Sequence, residues 1–110
     1  MAIPELDLKR IERWCDERVP EQCHDHLRVI YTVGPGYVTI FETRPDWMGG
    51  PEWIDFPIAR LRYNMGTGQW TIYWRDRNLK FHKYDRKRPT KTVQSLLDHI
   101  GSHQDPIFFG

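Results

Sequence analysis

The chain has 110 residues, of which 39% are hydrophobic, 28% charged and 14% aromatic, with a net charge of +1. That length suits one domain over residues 1–110 with a single modest core. A net charge this small gives the chain as a whole no pull toward nucleic acid, and no run reaches the roughly 18 apolar residues of a membrane-spanning helix.

The charge is unevenly placed. Residues 1–74 carry −3, residues 75–91 carry +6 and residues 92–110 carry −2. The N-terminal stretch MAIPELDLKRIERW has no apolar run followed by a small-residue cleavage site. A cytoplasmic protein with no membrane association is expected. Cys15 and Cys23 would then be reduced thiols.

Pro4 suits the first turn of a helix, and Glu5 and Asp7 favour its dipole. Leu8, Ile11, Trp14 and Cys15 recur at 3–4 spacing, so residues 5–18 read as an amphipathic helix that Val19-Pro20 ends. Residues 27–33 alternate as a strand, with Val29, Tyr31 and Val33 on one face. Gly34-Pro35-Gly36 marks a turn, and residues 37–43 form the partner strand. The segment RPDWMGGPEWID over 44–55 reads as a long loop. A loop of that length in a small domain is often functional. Trp47 and Trp53 are expected to fold back over one end of the core, since exposed paired tryptophans are costly; the alternative is a binding lip.

Residues 56–65, 69–75 and 79–84 read as three further strands, turned at Gly66-Thr67-Gly68 and at Asp76–Asn78. Thr90 or Thr92 can cap a short helix with Val93, Leu96, Leu97 and Ile100 on one face and Gly101 as its stop. The apolar tail DPIFFG is expected to pack on the domain. The fold class predicted is α+β: a five-stranded antiparallel meander with an N-terminal and a C-terminal helix on one face and the other face open.

The turns specify a register. A turn at Gly66-Thr67 sets Tyr63 opposite Trp70, Leu61 opposite Ile72 and Ala59 opposite Trp74. A tight turn centred on Asp76-Arg77 sets Trp74 opposite Leu79 and Ile72 opposite Phe81. Opposed residues share a face. The apolar set therefore faces the core, and Arg60, Arg62, Tyr73, Lys80, His82 and Tyr84 face out, extended by Arg75 and Arg77.

A basic face carrying rings suits single-stranded RNA or DNA, because cations hold phosphates and rings stack on bases. The same residue types populate the solvated face of any antiparallel sheet, so an ordinary surface stands beside the binding one. The tryptophan loop and apolar tail offer a third reading, a protein-docking or self-associating module. His82 among arginines also supplies the ingredients of a small ribonuclease. No catalytic residue is assigned. Cys15, Cys23, His24 and His26 are metal-ligand types without a zinc-module spacing, so no metal or other cofactor is expected.

WTIYWRDRNLKFHKYD, preceded by FPIARLRY and followed by a short helix and DPIFFG, resembles a bacterial family known as domain of unknown function 3024. The resemblance runs from PELDL to the terminal glycine. Its specific part is the turn Trp74-Arg75-Asp76-Arg77-Asn78 with Phe81-His82 and Tyr84 after it. The tail Ile107-Phe108-Phe109 departs from an expected Phe-Trp pair. The resemblance implies a stand-alone cytoplasmic bacterial domain and brings no activity, cofactor or catalytic residue.

Overall fold

The computed structural model describes residues 3–103 and 105–108. Helix α1 (Glu5–Arg18) precedes strands β1 (Arg28–Gly34), β2 (Tyr37–Pro45), β3 (Trp53–Asn64), β4 (Gln69–Arg75) and β5 (Phe81–Lys83). Helix α2 (Val93–Gly101) and a single 3-10 turn over Pro106–Phe108 follow. The sheet order is β1-β2-β3-β4-β5, and every neighbouring pair is antiparallel. This is the α+β meander with two flanking helices that the periodicities indicate.

Both helices bury their stripes against one sheet face. Ile11, Trp14 and Cys15 of α1 and Val93, Leu96, Leu97 and Ile100 of α2 join Val38, Ile40, Ala59, Leu61, Trp70 and Ile72 in one core. A buried contact ties the first turn of α1 to the sheet: Trp70 Nε1 donates to Asp7 Oδ2 at 2.9 Å. Residues Asp85–Thr92 run back along the β4 edge, held by a reciprocal backbone pair between Trp70 and Thr90. Thr92 starts α2 but makes no side-chain cap; the Thr90 hydroxyl accepts the Thr92 N–H instead.

The β3–β4 register is the predicted one, with Ala59 opposite Trp74, Leu61 opposite Ile72 and Tyr63 opposite Trp70. The β4–β5 register differs. Arg75 pairs with Phe81, Trp74 with His82 and Tyr73 with Lys83. The cause is a five-residue turn, Asp76–Lys80, in place of a tight one. Asp76 Oδ1 accepts the N–H groups of Asn78 and Lys80, and Leu79 takes a positive φ of 64°. The pairing moves by an odd number of residues, so every β5 side chain changes face.

The 44–55 segment also departs from expectation. β2 runs on to Pro45 and β3 starts at Trp53, so the two form a two-stranded ribbon and leave only residues 46–52 as a loop. Trp47 does not cover the core: it is 85% exposed, and Trp53 is 36% exposed with the Arg28 guanidinium over its ring. The molecule is correspondingly elongated, 46 × 28 × 26 Å. At the other terminus Phe108 is 1% exposed in the core, as expected of the tail, whereas Phe109 lies outside the described residues.

Candidate nucleic-acid interface

The open face is built by alternation. Tyr37 and Thr39 of β2, Arg60 and Arg62 of β3, Thr71, Tyr73 and Arg75 of β4, and Phe81 and Lys83 of β5 all point away from the helices by their register. Their side chains form a ladder of cations and rings. The Arg60 guanidinium lies 4.3 Å from the Tyr37 ring centroid and 4.2 Å from that of Phe81. Arg60 Nε also donates to Thr39 Oγ1 at 3.0 Å, which fixes its orientation. Arg62 is exposed and lies within 6 Å of both Tyr37 and Tyr73. Such cation–π contacts hold each side chain in place without neutralising its charge.

At the hairpin end of this face lies a groove of about 610 Å³. Arg62 and Lys83 supply its charge, Tyr73 a half-buried ring, and Asn64, Thr67, Gln69 and Thr71 its hydrogen-bonding groups. Among the described residues no carboxylate lines it. An anion entering there meets two cations.

Of the residues expected on the face, Arg60, Arg62, Tyr73 and Arg75 occupy it. Arg75 stands at its far end, where its Nε donates to the Pro57 carbonyl at 2.6 Å. Arg77 and Lys80 lie in the exposed Asp76–Lys80 turn instead. His82 and Tyr84 are corrected to the helix side of the sheet by the β5 register. His82 Nε2 pairs with Asp76 Oδ2 at 2.7 Å and its ring stacks on Trp74 at 4.8 Å. That hydrogen bond, with the backbone amides of Lys80 and Asn78, holds the Asp76 carboxyl below its ordinary value. Tyr37, Phe81 and Lys83 take the vacated role. Tyr37 was within reach of the sequence, since Val38 and Ile40 turn inward and their neighbours must turn out; Phe81 and Lys83 depended on the turn.

Tyr84 is buried at the centre of a polar cluster. Its hydroxyl donates to Asp105 Oδ2 at 2.9 Å and sits 2.9 Å from His99 Nε2, while Arg86 reaches Asp105 at 3.2 Å. Burial first, then Asp105, pushes the Tyr84 phenol up to about 12. Burial, with help from Lys87, lowers the His99 imidazole. The Ile107 N–H and the Tyr84 hydroxyl hold Asp105 below its ordinary value. These groups are paired with one another and fasten the C-terminal segment to β5 and α2. They do not lie on the open face.

Cys15 is buried and Cys23 exposed; burial raises the Cys15 thiol to about 12. His24 Nε2 is engaged with the Val19 carbonyl at 3.0 Å. Among the described residues no three His, Cys, Asp or Glu side chains converge to hold a metal. No described helix is long and apolar enough to cross a membrane.

The chain belongs to the DUF3024 family, a domain of unknown function, whose family model matches residues 2–110. No curated protein and no solved structure matches it. The family description assigns no role, so the functional reading rests on the geometry of the open face.

Proposed function

We propose that the protein is a non-enzymatic module that binds single-stranded nucleic acid on its open sheet face. The observation that carries this reading is the groove lined by Arg62, Tyr73 and Lys83, which holds two cations and a ring and, among the described residues, no carboxylate. Arg62 and Lys83 would contact phosphates, and Tyr73, supported by Tyr37, would stack on a base. Arg60, held between Tyr37 and Phe81, would keep this platform rigid. The ribonuclease alternative loses support because His82, its acid–base candidate, is engaged with Asp76 on the opposite side of the sheet. We read the protein further as bacterial and cytoplasmic; its two free cysteines suit a reducing compartment.

Fluorescence anisotropy of labelled oligouridylate, oligothymidylate and duplex DNA of equal length, at two salt concentrations, tests the reading. The single-stranded probes should bind and weaken with salt, with a log–log slope of about −1.4 to −2 for two or three phosphate contacts. Tyr73→Ala should weaken binding about tenfold, and Arg62→Gln or Lys83→Gln should each flatten the slope by about 0.7. Absence of binding at low salt would return the face to an ordinary solvated sheet.

A further inference from the structure

The ribbon formed by β2 and β3 leaves an unfilled place in the sheet. β3 pairs with β2 along its length from Trp53, but its pairing with β4 begins only at Ala59. Among the described residues no strand pairs with the other edge of β3 from Trp53 to Ile58. Arg75 Nε takes the Pro57 carbonyl, so the backbone of Pro57 faces that edge. Alternation then turns the N–H and C=O of Asp55 and Trp53 the same way, unpaired.

Beside this edge runs a groove of about 400 Å³. Its apolar wall includes Ile54, Phe56, Ile58 and Phe108, with Trp47 as a lip. Several of these are exposed where a core residue would be covered: Phe56 is 46% and Ile54 38% exposed. The groove also carries Glu42, Arg44 and Arg75. Glu42 and Arg44 pair with each other, whereas Arg75 has no carboxylate within ion-pair distance among the described residues. The groove therefore keeps one uncompensated positive charge.

We propose that the free edge of β3 at Trp53–Phe56 takes up an extended peptide segment of a partner protein as an added strand, apolar at alternate positions and carrying a carboxylate that meets Arg75. Strand addition supplies main-chain hydrogen bonds from the edge, and the alternate side chains supply the choice of partner. Here the Trp53 and Asp55 backbones would give the bonds, Ile54 and Phe56 the apolar contacts, and Arg75 the preference for an acid. A second copy is disfavoured as occupant. Antiparallel pairing of two β3 edges centred on Asp55 sets carboxylate against carboxylate, which is destabilising. The inference does not depend on nucleic-acid binding, whose groove at the hairpin end of the sheet shares no lining residue with this one.

The test pans a displayed library of random ten-residue peptides on the full-length protein. Enriched peptides should alternate apolar residues and carry Asp or Glu. A synthetic enriched peptide should bind Phe56→Asp and Trp47→Ala at least tenfold more weakly, and hydrogen exchange should slow at the Trp53 and Asp55 amides when it binds. Arg75→Glu should lose the acidic peptide and recover affinity for its Lys counterpart. Thermal melts separate loss of binding from loss of fold, and both Phe56 and Trp47 are exposed enough to be changed safely. No enrichment overturns the proposal, as does binding indifferent to Phe56→Asp and Trp47→Ala. Self-association of the protein that Phe56→Asp abolishes would also overturn it and assign the edge to a second copy.

Discussion

Single residues of this protein carry roles their local context does not announce. Asp7 reads as a helix N-terminal acid, yet its Oδ2 satisfies the buried Trp70 indole and its Oδ1 accepts from Arg10. Asp7→Ala should cost about 1–3 kcal/mol in urea denaturation, the range for stranding a buried donor, and Asp7→Asn, which keeps an acceptor, should cost less. Leu79 is the opposite case, a branched residue at φ 64° that is 56% exposed. Leu79→Gly removes the left-handed penalty at little loss of packing, so it should raise stability by about 0.5–1 kcal/mol, read as an upward shift in Tm. Tyr84 makes the fold sensitive to alkali. Its phenol ionises near 10 in the unfolded chain and only at about 12 in the fold. Between those values the unfolded state sheds a proton that the native state keeps, so stability falls as pH rises from 10 toward 12. Cys15, raised from 9.0 to about 12 by burial, adds to the same slope from pH 9 upward. Urea midpoints at pH 8, 9.5 and 11 should decline less steeply in Tyr84→Phe than in the wild type; equal slopes would refute the assignment.

Among the elements, β3 does two jobs. Its C-terminal half, Ala59–Asn64, is a central strand whose Ala59 and Leu61 are fully buried. Its N-terminal half, past the register shift opposite Ile40 and Phe41, belongs to the two-stranded ribbon. The two halves should respond differently to truncation. Leu61→Ala should cost about 2–5 kcal/mol, whereas Phe56→Ser and Trp47→Ala should stay within about 0.5 kcal/mol of wild type in thermal or urea melts. Comparable losses at Phe56 and Leu61 would mean that the ribbon is part of the core. The hairpins also differ in how plainly they read. Gly66 and Gly68 bracket the β3–β4 turn and Gly36 takes φ 73° after β1, so these registers follow from composition. The β4–β5 turn carries no glycine. It is made by the Asp76 carboxylate gathering two amides, and its length is not visible in the residue types alone.

For the molecule as a whole, one core joins α1, the sheet, α2 and the C-terminal segment. Phe108 is its last contributor among the described residues, packed 5.0 Å from Tyr84 and edge-on to His99. Phe108→Ala should cost about 3–5 kcal/mol, a large share of the 5–15 kcal/mol that holds a small domain together, and should broaden or lower the single thermal transition. A variant with an unchanged Tm would mean the segment is only laid on the surface.

The sequence by itself determined the two helices, the antiparallel meander, the β3–β4 pairing and hence Arg60, Arg62 and Tyr73 on the open face. Apolar periodicity and glycine turns are local signals, and burial of one face amplifies them. Only the tertiary structure decided the rest. A turn longer than the tight one moved His82 and Tyr84 to the helix side and brought Phe81 and Lys83 out, because a strand repeats every two residues and an odd slip inverts it. The exposure of Trp47 and Phe56 was equally hidden. Both are residues that would normally be buried, and whether a side chain is covered depends on what stands opposite it in space: here the pairing of β3 with β4 begins only at Ala59.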